Sequence, residues 1–367
     1  MENFTLYLTD VSQNNETTSL TEHIGYAYVI PIICGIGMLL NALNLIVFTR
    51  KLLKGSTFTY LTANSAVDLL TLSLVFPIGL VRCGGCATDS DSLAAFGKVY
   101  EYYIYLPIAN MSACASVWIT LAVSVERYIY VGYIRSAKTL CTVKNARFGI
   151  IAIVLGAICL NTPYFFPYRV DTSDNTVELT EFGQSQNYQA YSWIRISLAK
   201  FLPLGAMILT NCLLIYELHQ ATKRRRAMST TAAKRQKLQA KITTMLVCMC
   251  VLFVICHVPE ALSHVGLFRS IFTLDEESLG HKTLRLTSNI LEMLSYTLNF
   301  VLYYFFNSQF RYVLCGLCRC MREAKIEDTA GETTNSNMQT NHNGTTGCNH
   351  MHHGKPPKSG SSKACNL

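Results

Sequence analysis

The stretch Ala115–Val131 reads ASVWITLAVSVERYIYV and indicates the architecture of the whole chain. It closes an uncharged run of 24 residues, Tyr102–Val125, that ends in Glu126-Arg127-Tyr128. A helix of this length crosses the ~30 Å hydrocarbon core of a bilayer, so the charged pair after it lies at the water boundary. Adjacent opposite charges neutralise each other there, and Arg127 becomes available to another partner once the pair separates. An ordinary interfacial anchor is the alternative interpretation.

Seven apolar runs of 19 to 24 residues predict an all-α membrane protein. Of the 367 residues, 50% are hydrophobic and 15% are charged, well below the ~25% charge of soluble domains. The runs lack the sustained alternation of a membrane-spanning strand. A short amphipathic helix, Asn307–Met321, follows the last run, so we expect a seven-transmembrane helix bundle with an eighth helix on the inner surface. The seven runs are Tyr26–Phe48, Phe58–Val81, Tyr102–Val125, Phe148–Phe166, Ile196–Tyr216, Ile242–Leu262 and Leu286–Phe306.

The distribution of basic residues predicts the orientation in the membrane. Residues 1–25 contain no lysine or arginine, whereas the loop after the fifth run, Lys223–Lys241, contains eight and no acid. The positive-inside rule therefore places the N-terminus outside and the C-terminus in the cytoplasm of a multi-pass plasma-membrane protein. The net charge of +8 fits an inner face beside anionic lipid rather than nucleic acid. We expect an extracellular lead (1–25), a seven-helix domain (26–320) and a disordered cytoplasmic tail (321–367).

Several residues outside the runs are candidates for covalent modification. The extracellular sequons predict glycosylation at Asn3 and Asn15. Cys83 and Cys86 fall in an outer loop, where either a local disulfide or two free thiols is consistent with the sequence. Three cysteines of the eighth helix predict palmitoylation, with ordinary reduced thiols as the alternative: Cys315, Cys318 and Cys320.

Asp68 is the one charge inside the second run. Inserting a charge near the bilayer centre costs ~2.5–3.5 kcal/mol, so such a residue normally faces the bundle interior and has a functional role. Its candidate partners are Ser116, Ser295 and Asn299. These oxygens indicate either a site for a small cation such as Na⁺ or a structural hydrogen-bond network.

The sixth run carries a second polar group around Pro259, a residue that predicts a kink. His257, Glu260 and His264 are spaced three and four apart, so they share one helix face. Glu292 is the acid of the seventh run.

As a set, these motifs resemble those of rhodopsin-like (class A) G-protein-coupled receptors over about residues 26–320. The segment Ala115–Val131 with Thr139-Leu140-Cys141-Thr142, the sequence Asn299-Phe300-Val301-Leu302-Tyr303, and Phe310-Arg311 are similar to the FMRFamide, myosuppressin and myoinhibitory or sex peptide receptor group. A vertebrate orphan branch proposed to sense aromatic amino acids is similar too. The motifs that carry the wider resemblance are Asn41, Asp68, Glu126-Arg127-Tyr128, Pro203, Phe253 with Cys256 and Pro259, and Asn299 with Tyr303.

The chain departs from the usual pattern of that family at several places, including Phe300 where proline is usual and Asn211 where tyrosine is commoner. Tyr102 stands where the cysteine that bonds to the second outer loop is usual, and that loop has none. His257 replaces the usual tryptophan of the sixth helix, and Ile153 lies near the place of the usual tryptophan of the fourth. Gln239 replaces an acid that often locks the arginine of the third helix, which predicts some ligand-free signalling.

The resemblance implies a receptor, not an enzyme, for a short and amidated neuropeptide. A small aromatic ligand is the alternative within the class, and a transporter that uses the buried acids is the alternative outside it. Implied partners are a heterotrimeric G protein, arrestin, receptor kinases and membrane lipid, with no cofactor beyond the Na⁺ considered above. The implied switch residues are Glu126, Arg127, Tyr128, Pro259, Asn299 and Tyr303. The candidate ligand-binding residues are Tyr105, Arg195, Lys200, His257, Glu260, His264, Asn289 and Glu292.

Overall fold

Seven long helices and a short eighth make up the bundle in a computed structural model. The structure describes residues 20–81, 91–172, 174, 176–225, 230–263 and 279–317. Residues 308–317 form the eighth helix, α8. The long helices are α1 (Ile30–Phe48), α2 (Ser56–Val75), α3 (Leu106–Gly132), α4 (Val143–Asn161), α5 (Leu202–Arg225), α6 (Thr230–Leu262) and α7 (Leu279–Phe306).

The fold confirms the predicted all-α, seven-helix class. By length and composition, six helical segments of the described chain are suited to span a membrane: Leu20–Phe48, Ser56–Val75, Ala95–Gly132, Val143–Phe165, Gln186–Gln220 and Lys241–Leu262. The seventh, α7, has 28 residues but carries polar side chains such as Glu292 and Asn299. These residues lower the mean hydropathy of α7. Both are buried, so they face the interior of the bundle.

Within the described ranges, three widened π-helical stretches each precede a proline. Gly25–Val29 leads to Pro31, Tyr100–Tyr105 to Pro107 and Ser197–Phe201 to Pro203. A proline donates no backbone hydrogen bond, and its ring presses on the carbonyl one turn earlier. The turn before it therefore widens, which changes the direction in which the side chains of that turn point.

The long loop between α4 and α5 contains the only β-structure of the described residues. Strands β1 (Tyr168–Asp171) and β2 (Thr176–Leu179) pair antiparallel, with Tyr168 opposite Leu179 and Asp171 opposite Thr176. Short helices Glu181–Gln184 and Gln186–Ile196 then lead into α5. The sequence indicated a polar loop here, and the hairpin is an addition to the predicted all-α fold.

The helix bundle has an apolar interior interrupted by buried polar groups. One apolar cluster includes Phe253 and Tyr296, and a second surrounds Tyr303 and Phe310. Asn307 begins α8, since its Oδ1 accepts the backbone N–H groups of Gln309 and Phe310 at 3.0 and 3.1 Å. The surface of the bundle exposes large apolar side chains, as expected for contact with lipid.

Candidate functional site

Three charged side chains from three helical segments meet inside the bundle, at the end where α5 begins and α6 ends. Lys200 lies in the widened turn Ser197–Phe201, Glu260 on α6 and Glu292 on α7. The Lys200 ammonium bonds to Glu260 Oε2 and lies 3.3 Å from Glu292 Oε1. The exposed fractions of the Lys200 and Glu292 side chains are 8% and 11%, whereas Glu260 keeps 23%. We call Lys200, Glu260, Glu292 and His257 the ion cluster.

His257 links the two acids to α7. Its Nδ1 lies 3.3 Å from Glu260 Oε2 and 3.8 Å from Glu292 Oε1, and its Nε2 lies 3.2 Å from Ser295 Oγ. The imidazole stacks on Phe253 with ring centroids 3.8 Å apart. Tyr296 donates its hydroxyl to Glu292 Oε1 at 2.9 Å. Every polar atom of the imidazole therefore faces a partner on α6 or α7.

The ion cluster carries one uncompensated negative charge when His257 is neutral. One ammonium and two carboxylates sum to −1, and a proton on His257 brings the sum to zero. His257, Glu260 and Glu292 are also ligand types for a divalent metal, and their ligand atoms lie within 4.8 Å of one another. The Lys200 ammonium contacts both carboxylates and supplies the positive charge that a metal would bring.

The remaining predicted ligand-binding residues bond elsewhere or lie outside the described chain. Arg195 donates to Asn110 Oδ1 at 3.1 Å, and its guanidinium lies 4.7 Å from the centroid of the Tyr164 ring. Asn289 donates to the Tyr26 hydroxyl at 2.9 Å and so ties α7 to the start of the first helix. Tyr105 packs partly buried against the upper apolar cluster. His264 lies outside the described residues.

The acid of α2 lies at the centre of a second polar cluster. Asp68 is fully buried and accepts hydrogen bonds from Ser116 at 2.6 Å, Asn64 at 2.8 Å and Asn299 at 3.0 Å. The structure thus brings together three of the four residues considered for a cation. Ser295 bonds instead to His257 and to the Glu292 carbonyl.

The oxygen donors around Asp68 fit a small hard cation by type, since they combine a carboxylate with hydroxyl and amide oxygens. The carboxylate is already satisfied by three neutral donors, so a bound Na⁺ would exchange with some of these hydrogen bonds. Both interpretations offered by the sequence therefore stay open.

The charged pair is buried at the C-terminal end of α3. Arg127 Nη2 lies 3.8 Å from Glu126 Oε1, with 7% of each side chain exposed. The same Oε1 accepts hydroxyl bonds from Ser56 at 2.6 Å and Thr57 at 2.9 Å. The Arg127 guanidinium also lies 5.2 Å from the centroid of the Tyr130 ring. The first residues of α2 thus hold the acid of the pair in place.

The following loop joins the same arrangement. Cys141 donates its thiol to the Glu126 carbonyl at 3.7 Å, and its own carbonyl accepts from Ser56 at 3.1 Å. Burial, together with the nearby Glu126 carboxylate, raises the pKa of the Cys141 thiol. The thiol therefore stays protonated at neutral pH and serves as a weak donor.

Tyrosines tie the β1–β2 hairpin to the helical turn before α3. The Tyr102 ring packs on Tyr168 with centroids 4.8 Å apart. The Tyr103 hydroxyl accepts the Val170 N–H at 3.2 Å and lies 3.4 Å from the Tyr168 carbonyl. Tyr102 stands at the position where the wider class has its cysteine, so an aromatic contact occupies the place of a covalent link.

Three other predicted switch residues lie in different parts of the bundle. Tyr303 is fully buried, and its hydroxyl approaches Met249 Sδ at 3.5 Å. Pro259 lies inside α6, one residue before Glu260. Tyr128 contacts Tyr133 through ring and hydroxyl. Among the predicted modification sites only Cys315 is described, as an exposed residue of α8; Asn3, Asn15, Cys83, Cys86, Cys318 and Cys320 lie outside the described residues.

Sequence reasoning did not identify several residues that complete these clusters. Asn64 lies four residues before Asp68, and Tyr296 lies four after Glu292, so helical spacing could have indicated both. Ser56, Thr57 and Tyr168 act across helices or loops, and no local pattern marks them.

Seven membrane helices, a buried acid at the centre of α2 and a Glu-Arg pair at the end of α3 together define a G-protein-coupled receptor. Within this class, residues 28–321 match the serpentine-type seven-transmembrane GPCR chemoreceptor family Srw, and the chain belongs to that family. The match identifies a receptor rather than an enzyme, and it decides against a transporter.

Similar curated proteins support the predicted peptide-receptor group. The sex peptide receptor of Drosophila melanogaster is 27% identical over 310 residues, covering 78% of this chain and 70% of the relative. The FMRFamide receptor of Drosophila melanogaster is 24% identical over 306 residues, covering 77% and 52%. A probable G-protein coupled receptor of Caenorhabditis elegans is 24% identical over 302 residues, covering 77% and 66%. The chain thus spans between about half and 70% of the length of these relatives.

Proposed function

We propose that a short, amidated neuropeptide activates this receptor from the extracellular side and that the receptor signals to a heterotrimeric G protein. The names of the relatives, which include receptors for FMRFamide and sex peptide, favour a peptide ligand. The observation that carries the proposal is the ion cluster, because it needs one more positive charge to become neutral.

A cationic group of the ligand would supply that charge. Glu260 is the accessible member of the cluster, with 23% of its side chain exposed, so an arginine side chain or terminal amine would meet it first. Amidation removes the C-terminal carboxylate of a peptide, which the two glutamates would otherwise repel. The net charge of the cluster therefore favours an amidated peptide with a basic group over a peptide acid.

Binding of that group weakens the contacts of Lys200. Glu260 then bonds to the ligand instead of sharing its oxygen between Lys200 and His257. A ligand that binds better to this exchanged arrangement shifts the receptor towards it. We expect α6 to swing about Pro259 and Arg127 to leave Glu126 for the G protein. Coupling to arrestin and to receptor kinases, and the plasma-membrane location, stay predictions.

A second-messenger screen in transfected cells tests the proposal. Each short basic peptide is supplied as its amide and as its free acid, beside free aromatic amino acids. The amide should be the more potent form, and Arg127→Ala should abolish the response at equal surface expression. A response to a free aromatic amino acid alone would assign the small-ligand alternative.

Variants of the two acids locate the binding group. Glu260→Gln and Glu292→Gln should each weaken the peptide response by at least about tenfold, because each removes one charge-assisted contact worth about 1.5–3 kcal/mol. Glu181→Gln is the matched control, since Glu181 is an exposed acid of the outer loop. Unchanged potency in both cluster variants would contradict the assignment of the ion cluster to the ligand.

A further inference from the structure

The indole of Trp118 bonds to the backbone of the turn that carries Lys200. Its Nε1–H donates to the Leu198 carbonyl at 3.2 Å, and this contact joins α3 to the widened turn Ser197–Phe201. The Trp118 ring is half-buried and packs against an apolar cluster that includes Ala199, the residue before Lys200. The peptide contacts proposed above do not involve Trp118, so the bond has another role.

Pro203 leaves the Leu198 carbonyl without its helical donor. In the widened turn the Leu202 N–H donates to the Ser197 carbonyl, five residues earlier. The next bond of this pattern would run from residue 203 to Leu198, but a proline has no N–H. Leu198 is 40% exposed in a helical segment suited to span a membrane, where lipid offers no donor. The Trp118 indole therefore supplies the hydrogen bond that Pro203 cannot.

The position of the Leu198 carbonyl fixes the position of Lys200. The two residues lie two positions apart in the five-residue turn Ser197–Phe201, so a displaced carbonyl carries the backbone of the lysine with it. The Lys200 ammonium bonds to Glu260 and lies 3.3 Å from Glu292 Oε1, just beyond the usual length of an N–H···O bond. A shift of the turn by about 1 Å away from α7 therefore breaks the contact with Glu292.

We propose that Trp118 is a positioning residue of the ion cluster. Its indole N–H replaces the missing N–H of Pro203, holds the widened turn against α3 and so sets the reach of Lys200 between the two acids. The consequence for the ligand rests on the proposed function, in which a cationic group of the peptide takes over the Glu260 contact of Lys200. A turn that Trp118 no longer holds lowers the cost of this exchange, because Lys200 is then less firmly bound to the acids.

A double-mutant cycle between Trp118 and Pro203 tests the hydrogen bond without a ligand. Trp118→Phe keeps an aromatic ring and removes the donor, so the thermal unfolding midpoint in detergent micelles should fall by about 2–4 °C. Pro203→Ala returns an N–H to residue 203. In that background Trp118→Phe should lower the midpoint by less than about 1 °C, because the Leu198 carbonyl no longer depends on the indole.

Pro31→Ala is the matched control for the proline change. Pro31 follows the widened turn Gly25–Val29 at the same spacing, two residues after its end, but lies on α1. Trp118→Phe should therefore keep its full effect in the Pro31→Ala background. An equal effect of Trp118→Phe in the parent, in Pro31→Ala and in Pro203→Ala would show that the ring contributes packing alone, and it would overturn the proposal.

The peptide response separates a positioning role from a purely structural one. The probe is the short basic peptide amide that the second-messenger screen identifies. At equal surface expression, Trp118→Phe should raise its potency by at least about threefold, although the variant is less stable. In the Lys200→Met background the same change should leave potency unaltered, because no ammonium is left to position. A potency that falls together with the unfolding midpoint would overturn the proposal.

The two measurements also separate this proposal from the proposed function. Coupling between Trp118 and Pro203 in the stability cycle, with no response to any basic peptide, would support the hydrogen bond and contradict the peptide function alone. Pro203→Gly also restores the N–H and takes the place of Pro203→Ala where the alanine variant fails to fold. Where neither variant folds, the direction of the potency change in Trp118→Phe decides.

Discussion

Replacing Lys200 with methionine tests whether the ion cluster stabilises the bundle. The change removes an ammonium that contacts both Glu260 and Glu292. At 3.3 Å and an effective dielectric constant of ~20, one such pair attracts by about 5 kcal/mol before desolvation. Because removing one partner of a buried pair leaves uncompensated charge, we expect a loss of about 3–5 kcal/mol of stability.

A second substitution should reverse most of that loss. Lys200→Met lowers the net charge of the cluster from −1 to −2, and the added change Glu260→Gln returns it to −1. The double variant should therefore be more stable than Lys200→Met alone, by about 2 kcal/mol. This rescue distinguishes two causes of the lost stability. If unpaired charge is the cause, Glu260→Gln restores stability; if lost packing is the cause, the second substitution lowers stability further.

Thermal unfolding in detergent micelles measures both effects with a thiol-reactive fluorophore. The dye reports unfolding because the described part of the chain buries four cysteines in the bundle: Cys34, Cys114, Cys250 and Cys256. Lys138→Met is the matched control, since Lys138 is exposed and should change stability by no more than about 0.5 kcal/mol. If Lys200→Met unfolds at the temperature of Lys138→Met, or if Glu260→Gln lowers the stability of Lys200→Met further, the argument from buried charge is refuted.

Three shorter predictions address the other clusters. If Asp68 holds Na⁺, the thermal unfolding midpoint should rise more in NaCl than in choline chloride. Asp68→Asn should remove this difference, whereas the control Ser295→Ala should keep it. A difference that persists in Asp68→Asn would exclude the sodium site. Thr57→Ala removes one charge-assisted bond to Glu126, worth about 1.5–3 kcal/mol, and should raise ligand-free second-messenger levels, while Thr59→Ala on the same helix should not. Tyr168→Ala should speed proteolysis of the loop between α4 and α5, and reductant alone should have no such effect. Equal proteolysis rates in variant and parent would show that the contact between Tyr102 and Tyr168 does not restrain the loop.

The sequence predicted the elements of this fold well, since each run is long, apolar and flanked by charge. The sequence predicted the starts and ends of the helices less well. The second run was placed at Phe58–Val81, but α2 begins at Ser56, and its first two hydroxyls bond to Glu126. Charge and hydropathy mark where a helix leaves the membrane, not which neighbour its first residue touches.

The candidate site was predictable along each helix and unpredictable across helices. Spacing alone placed His257 and Glu260 on one face of α6, and the bundle brings both to Lys200. Ser295 and Asn299 were equally plausible partners of Asp68, because they lie four residues apart on one helix face. The rotation of α7 decides between them, and Asn299 reaches Asp68 while Ser295 reaches His257.

That division along α7 gives the bundle a physical link between its two polar clusters. Glu292, Ser295 and Tyr296 contact the ion cluster, and Asn299 contacts Asp68 one turn further along the same helix. Helix hydrogen bonds make this segment rigid on the scale of one turn. We expect any shift of α7 at Glu292 to move Asn299 as well and to weaken the Asn299 bond to Asp68. The hydrogen bonds of a fully buried acid are costly to break, so the link favours two discrete arrangements over a continuous range, as a receptor that switches between states requires.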